Sequence, residues 1–143
     1  MINRLMNKQM MSIGRASNMC WIIFGAVGGD KEKYSLHMQC PWRIIDTKNH
    51  TVVIASGDMY DPNSSIEIGD NEFEWDIQGN NLFDEKINCF LERRPDFVVK
   101  EAVVSQNNDL KIVFSNEYIL EGFVDVSTDI ECWRFFQQGS GEH

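Results

Sequence analysis

The chain reads as an α+β fold in which strands dominate: an antiparallel sheet or sandwich with one amphipathic helix laid against it. Three observations carry that expectation. Alternation of apolar and polar residues with period two recurs along much of the 143-residue sequence. Turn-forming dipeptides separate the alternating runs. One stretch, NNLFDEKINCFLERRP, has helical periodicity together with end signals. The length fits a single domain spanning residues 1–143, and a chain of this size buries roughly 70% of its unfolded surface, so a hydrophobic core needs no covalent staples.

Taken in order, Met19 to Ala26 (MCWIIFGA) is a short apolar run. Gly25, Gly28 and Gly29 stop it, which favours a buried strand over a helix, and Met10 to Ala16 is expected to pair with it. In YSLHMQCPWRI the residues Leu36, Met38, Cys40, Trp42 and Ile44 fall on one face and Ser35, His37, Gln39 and Arg43 on the other, the pattern of one half-buried strand. Lys48-Asn49 turns the chain into Thr51 to Ala55, giving a hairpin that ends at Gly57-Asp58. In the helical stretch Asn81 caps, Asp84 and Glu85 occupy the first turn, and Phe83, Ile87, Phe90 and Leu91 form the apolar face. Arg93 and Arg94 precede the terminating Pro95. A C-terminal meander follows: Phe97 to Ser105, Leu110 to Phe114, Tyr118 to Val124 and, beyond the polar loop Asp125 to Asp129, Ile130 to Gln137.

Charge is unevenly placed. The net value is −9, and the segment from Asp58 to Glu85 holds nine acids and no Lys or Arg, while the rest of the chain balances at thirteen of each sign. A concentrated negative field attracts basic partners and repels phosphate backbones, so the expected partner is a basic protein and not nucleic acid. Within the segment Tyr60, Phe73 and Trp75 interleave with the acids. Aromatic anchors framed by carboxylates are what a protein-binding surface uses. The candidate contact residues are Asp58, Tyr60, Asp61, Glu67, Asp70, Glu72, Glu74, Trp75 and Asp76.

Chemical motifs are sparse. There is no G-x-S-x-G elbow, P-loop or dinucleotide fingerprint. His37 and Cys40 have H-x-x-C spacing, but an offset of three on a strand sets them on opposite faces, so no metal site and no cofactor is expected. The four cysteines, Cys20, Cys40, Cys89 and Cys132, sit among apolar neighbours and suit reduced, buried thiols of a cytoplasmic protein. No run approaches the ~20 apolar residues of a membrane span, and no signal-peptide core is present near the start. A carboxylate pair such as Asp58 with Asp76 is a conceivable hydrolytic site, yet in so acid-rich a segment some pair always looks suitable; the expectation is a binding protein and not an enzyme.

A Trp-Arg pair led by a nearby cysteine occurs twice, in CPWRIID and in ECWRFFQ. In the first copy Trp42 faces inward and Arg43 outward. In the second, Cys132, Arg134 and Phe136 share a face opposite Trp133 and Phe135. Both copies read as core strands, with Arg134 left as a candidate for an internal ion pair or, alternatively, for a small-molecule pocket. An unpaired buried charge is costly, so a buried Arg134 requires a carboxylate.

In size, charge and the run of SIGRASNMCWIIFG, LHMQCPWR and ECWRFF, the chain resembles the bacterial immunity proteins that neutralise polymorphic or contact-dependent toxins, including partners of tRNA-cleaving toxins. Such proteins share a task and not a fold. The resemblance therefore implies a mechanism: an acidic face covering the cationic groove of a toxin nuclease domain.

Overall fold

The computed structural model describes residues 1–27, 32–64, 73–92 and 96–138. Over these the chain forms nine strands in two antiparallel sheets and one α-helix. Strands β1 (Lys8–Ala16), β2 (Met19–Ala26), β3 (Lys33–Met38) and β9 (Trp133–Gln137) make a four-stranded sheet in the order β1-β2-β3-β9. The second sheet holds β4 (Trp42–Asp46), β5 (Thr51–Ala55), β6 (Val99–Val104), β7 (Leu110–Phe114) and β8 (Tyr118–Gly122), ordered β5-β4-β8-β7-β6. The β-dominant α+β class read from the sequence is therefore the observed one.

Two expected elements differ in detail. The alternating run through Trp42 is not one strand but two, because the chain leaves the first sheet after Met38 and enters the second at Trp42, turning at Gln39–Pro41. Proline lacks the N–H a continuing ladder needs, so the sheet switch falls where a central strand would be weakest. Leu36, Met38, Cys40, Trp42 and Ile44 nevertheless all point inward, none more than 5% exposed. The last strand does not extend the meander. It crosses back to pair with β3, in a register that sets Trp133 opposite Met38 and Phe135 opposite Leu36. Gly25 also lies within β2, close beneath Met11, and does not end the strand. Gly28 and Gly29, like Arg93, Arg94 and Pro95, lie outside the described residues.

The sheets are tied at two seams. Met10 and Asn7 donate backbone hydrogen bonds of 2.8 Å to the carbonyls of Phe97 and Val99, linking β1 to β6. On the other side the chain itself crosses at Gln39–Pro41, where Gln39 N–H meets the Cys132 carbonyl at 2.7 Å to lengthen the β3–β9 pair and Phe123 N–H meets the Pro41 carbonyl at 2.9 Å to lengthen the β4–β8 pair. Between them lies one core, to which Ile22, Phe24, Leu36 and Met38 contribute from the first sheet and Ile44, Ile112, Phe114 and Leu120 from the second. Helix α1 (Leu82–Glu92) packs on β1 and β5. Its Phe83 ring stands edge-on to Trp42 at 5.7 Å, and Phe90 meets Phe97 at 5.5 Å. Each such aromatic pair adds about 0.5–1.5 kcal/mol beyond the area it buries. The helix is not long or apolar enough to cross a membrane.

Candidate functional site

The acidic segment is organised around a buried arginine. Arg15 lies on β1 two residues after Ile13, on the inward side of the strand, and is only 4% exposed. Its guanidinium forms a forked pair with Asp84 in the first turn of α1, Nε to Oδ1 at 2.8 Å and Nη2 to Oδ2 at 2.9 Å. The remaining donors reach the carbonyl oxygens of Ser17 (3.1 Å), Trp75 (3.2 Å) and Asp76 (3.3 Å), and the Asp76 carboxylate at 3.4 Å. A planar fork with five N–H donors is the one side chain able to bind a carboxylate and several carbonyls at once. Burial by itself raises the Asp84 carboxyl pKa. The Arg15 hydrogen bond, the Gly79 N–H at 2.8 Å and the Arg15 charge outweigh that and hold it below the ordinary carboxylate value.

Asn81 completes the node. Fully buried, it accepts the Asp84 N–H at 2.8 Å as the helix cap and donates its amide to the Trp75 carbonyl at 2.8 Å. The cap expected from the sequence is present, and it also fastens the loop. A neighbouring strap runs alongside: Leu82 N–H to the Asp61 carbonyl at 2.8 Å and Asn63 N–H to the Asn80 carbonyl at 2.9 Å. Glu85, one position along the helix, accepts from the backbone and hydroxyl of Ser64, and these bonds lower its pKa.

This scaffold presents Tyr60 and Trp75 side by side. Ser56–Tyr60 forms a 3₁₀ turn pinned by Met59, 1% exposed, which leaves Tyr60 pointing out at 55% exposure. The Tyr60 ring meets Trp75 at 5.0 Å with an interplanar angle of 61°, and Arg15 stands 5.9 Å from the Trp75 ring centre. Asp61, Glu74 and Asp76 are exposed beside the two rings in sequence. Among the candidate contact residues, these five form the accessible group.

Asp58 does not belong to it. Its carboxylate turns back to accept the Ala55 N–H at 2.9 Å and to pair with Lys86 at 3.6 Å, so it closes the 3₁₀ turn. Asp58 and Asp76 are thus held by different cations, Lys86 and Arg15. Glu67, Asp70 and Glu72 lie outside the described residues.

Arg134 occupies the outer side of β9, opposite His37, and its guanidinium meets Glu131 at 2.7 Å with both side chains substantially exposed. It is a surface ion pair; the internal one belongs to Arg15. A shallow cleft of about 220 Å³ beside Arg134 is lined by His37, Gln39 and Trp133 among others. Three thiols are buried, while Cys89 is exposed on α1, contrary to expectation. Burial pushes the Cys20 thiol up to about 12 and Cys40 up to about 11, which leaves both protonated and unreactive. Among the described residues no group of three or more His, Cys, Asp or Glu side chains is placed to hold a metal ion.

The sequence held one signal that identifies Arg15. It shares the inward face of a β alternation with Ile13, and the nearby chain offers a segment of unpaired acids. An inward arginine and a surplus of carboxylates imply each other. No family model, no curated protein and no solved structure matches the chain.

Proposed function

We propose that this protein is an immunity protein, a stoichiometric inhibitor that lays the Tyr60–Trp75 surface over the cationic groove of a toxin nuclease domain in the bacterial cytoplasm. The observation that supports the reading most directly is the 55%-exposed Tyr60 ring, stacked edge-on to Trp75 and bordered by Asp61, Glu74 and Asp76. Aromatic rings give a partner's apolar and cationic side chains a surface to cover, and exposed carboxylates accelerate encounter with a positive groove. The buried node beneath means that little ordering remains to be done on binding. The inhibitor competes with RNA or DNA for the groove and needs no catalytic residue, cofactor or metal of its own.

The ligand-pocket alternative at Arg134 has less behind it. The guanidinium already holds Glu131, and a cleft of about 220 Å³ is smaller than the ~300 Å³ at which small-molecule sites usually begin.

The test is the association rate with a basic toxin nuclease domain, measured across a salt series. Asp61→Lys/Glu74→Lys is the informative variant, since Asp76 is tied to Arg15 and its reversal would disturb the fold. The variant is expected to associate at least ~10-fold more slowly at low salt, with a flatter salt dependence and an unchanged circular dichroism spectrum. Equal rates and equal salt slopes would sink the reading.

A further inference from the structure

The four-stranded sheet has an outer face whose composition the proposed inhibitor surface does not explain. The register defines its outward rows: Gly14, Trp21, His37 and Arg134 in one, and Ser12, Ile23, Ser35 and Phe136 in the next. An antiparallel sheet with one solvated side normally alternates polar residues onto that side. Here the rows carry Trp21, Ile23 and Phe136, with Met11 and Met19 at their ends, all half-buried.

Two of the large side chains also lie close against the sheet. A Cβ at Gly14 would overlap the Trp21 ring, and one at Gly25 would overlap the Met11 sulfur, so both large side chains lie down over glycines. His37 and Phe136 meet edge to face at 4.8 Å.

Electrostatics select the occupant. Across a chain of net charge −9, these outward rows contain no carboxylate, and the acidic segment is tied to the inward side of β1 through Arg15. Away from the β1 edge, where Gly14 lines a cleft with Asp84 and Glu85, two copies can approach here without setting acid against acid. At one rim the face offers an ion pair, Arg134 and Glu131, 43% and 57% exposed and bonded to each other, and in the row beyond Ile23 and Ser35 it offers the exposed Lys33, set in register with Gly25. A two-fold axis brings such a pair against its own copy with the signs matched, so that each Arg134 can meet the other copy's Glu131. We infer that the outer face of this sheet is an isologous interface between two copies of this chain.

Its size sets the strength. Strands about 4.8 Å apart with a rise of about 3.3 Å per residue give a face roughly 20 Å on a side, so about 400 Å² per copy and about 800 Å² in all, below the roughly 1,000 Å² that stable specific interfaces clear and in the range of weak, transient association. A weak, rapidly reversible dimer is therefore expected, leaving the Tyr60–Trp75 surface of each copy open.

The experiment is sedimentation velocity of the full chain over a wide concentration series, with Ile23→Lys, Arg134→Glu and the swap Glu131→Arg/Arg134→Glu alongside. Wild type is expected to pass from monomer to dimer and to plateau there. Ile23→Lys and Arg134→Glu should each raise the dissociation constant ~10-fold or more, and the swap should restore it toward wild type. Rescue by the swap is a result that mere stickiness cannot give. A monomer at every concentration overturns the inference irrespective of how the variants fold. So does growth past two copies without a plateau, which is what the acidic segment of one copy docking on this face of the next would produce.

Discussion

Replacing Arg15 by alanine is the most exacting test of how the acidic segment is held. The Arg15 side chain is 1% exposed and that of Asp84 9%, so water screens neither charge. Truncation leaves the Asp84 carboxylate with one remaining described donor, the Gly79 N–H, and removes the guanidinium from the carbonyls of Ser17, Trp75 and Asp76. Removing one partner of a buried ion pair costs about 3–5 kcal/mol, most of it the penalty of stranding the other. For a chain of this length that corresponds to a fall in melting temperature of roughly 10–20 °C. Urea denaturation followed by circular dichroism measures the loss, and the double variant Arg15→Met/Asp84→Leu separates its causes. With both charges gone no ion is stranded, and the double variant should be more stable than Arg15→Ala. A cost below about 1 kcal/mol for Arg15→Ala would refute the reasoning, since that is the range of a solvent-screened surface pair.

Three further outcomes follow from the same structure. Because the Asp84 pKa is lowered in the folded state, its contribution is complete above the unfolded carboxylate value of about 4 and is lost as pH falls below it. The wild-type urea midpoint should therefore drop more steeply on acidification below that value than the midpoint of Asp84→Asn; parallel curves would contradict the assignment. Burial, and then the Arg134 charge, lower the His37 pKa, so its NMR titration should lie below the ordinary ~6.5 and move upward in Arg134→Gln. Of the four cysteines only Cys89 is exposed, so a thiol reagent should modify one equivalent rapidly and the rest only on unfolding. Cys89→Ser should abolish the fast phase.

The fold was legible where local pattern and tertiary structure agree. Asn81 sits ahead of an amphipathic run and acts as its cap. Alternation from Leu36 to Ile44 marks five inward residues even though the chain changes sheets at Pro41, because the inner faces of both sheets look into the same core. Pairing was less legible. β9 could be recognised as a strand, but its return to β3 across nearly a hundred residues depends on contacts that no local window contains. The same limit applies to the site. The sequence marks Tyr60 and Trp75 as interleaved with acids, and the structure sets them in contact. It does not reveal that Asp58 closes a turn, or that the arginine which matters is the inward one on the first strand and not the one repeated beside tryptophan.

The central claim is that the Tyr60–Trp75 surface neutralises a basic nuclease, and inhibition stoichiometry tests it most directly. A basic toxin nuclease domain is titrated with wild-type protein and with Tyr60→Ala/Glu74→Lys while RNA and DNA cleavage are followed. The account predicts that cleavage falls linearly to zero at one inhibitor per nuclease for wild type. It also predicts that the variant, folded by circular dichroism, protects only at large excess. Full activity in the presence of excess wild type, or equal inhibition by the variant, would contradict it.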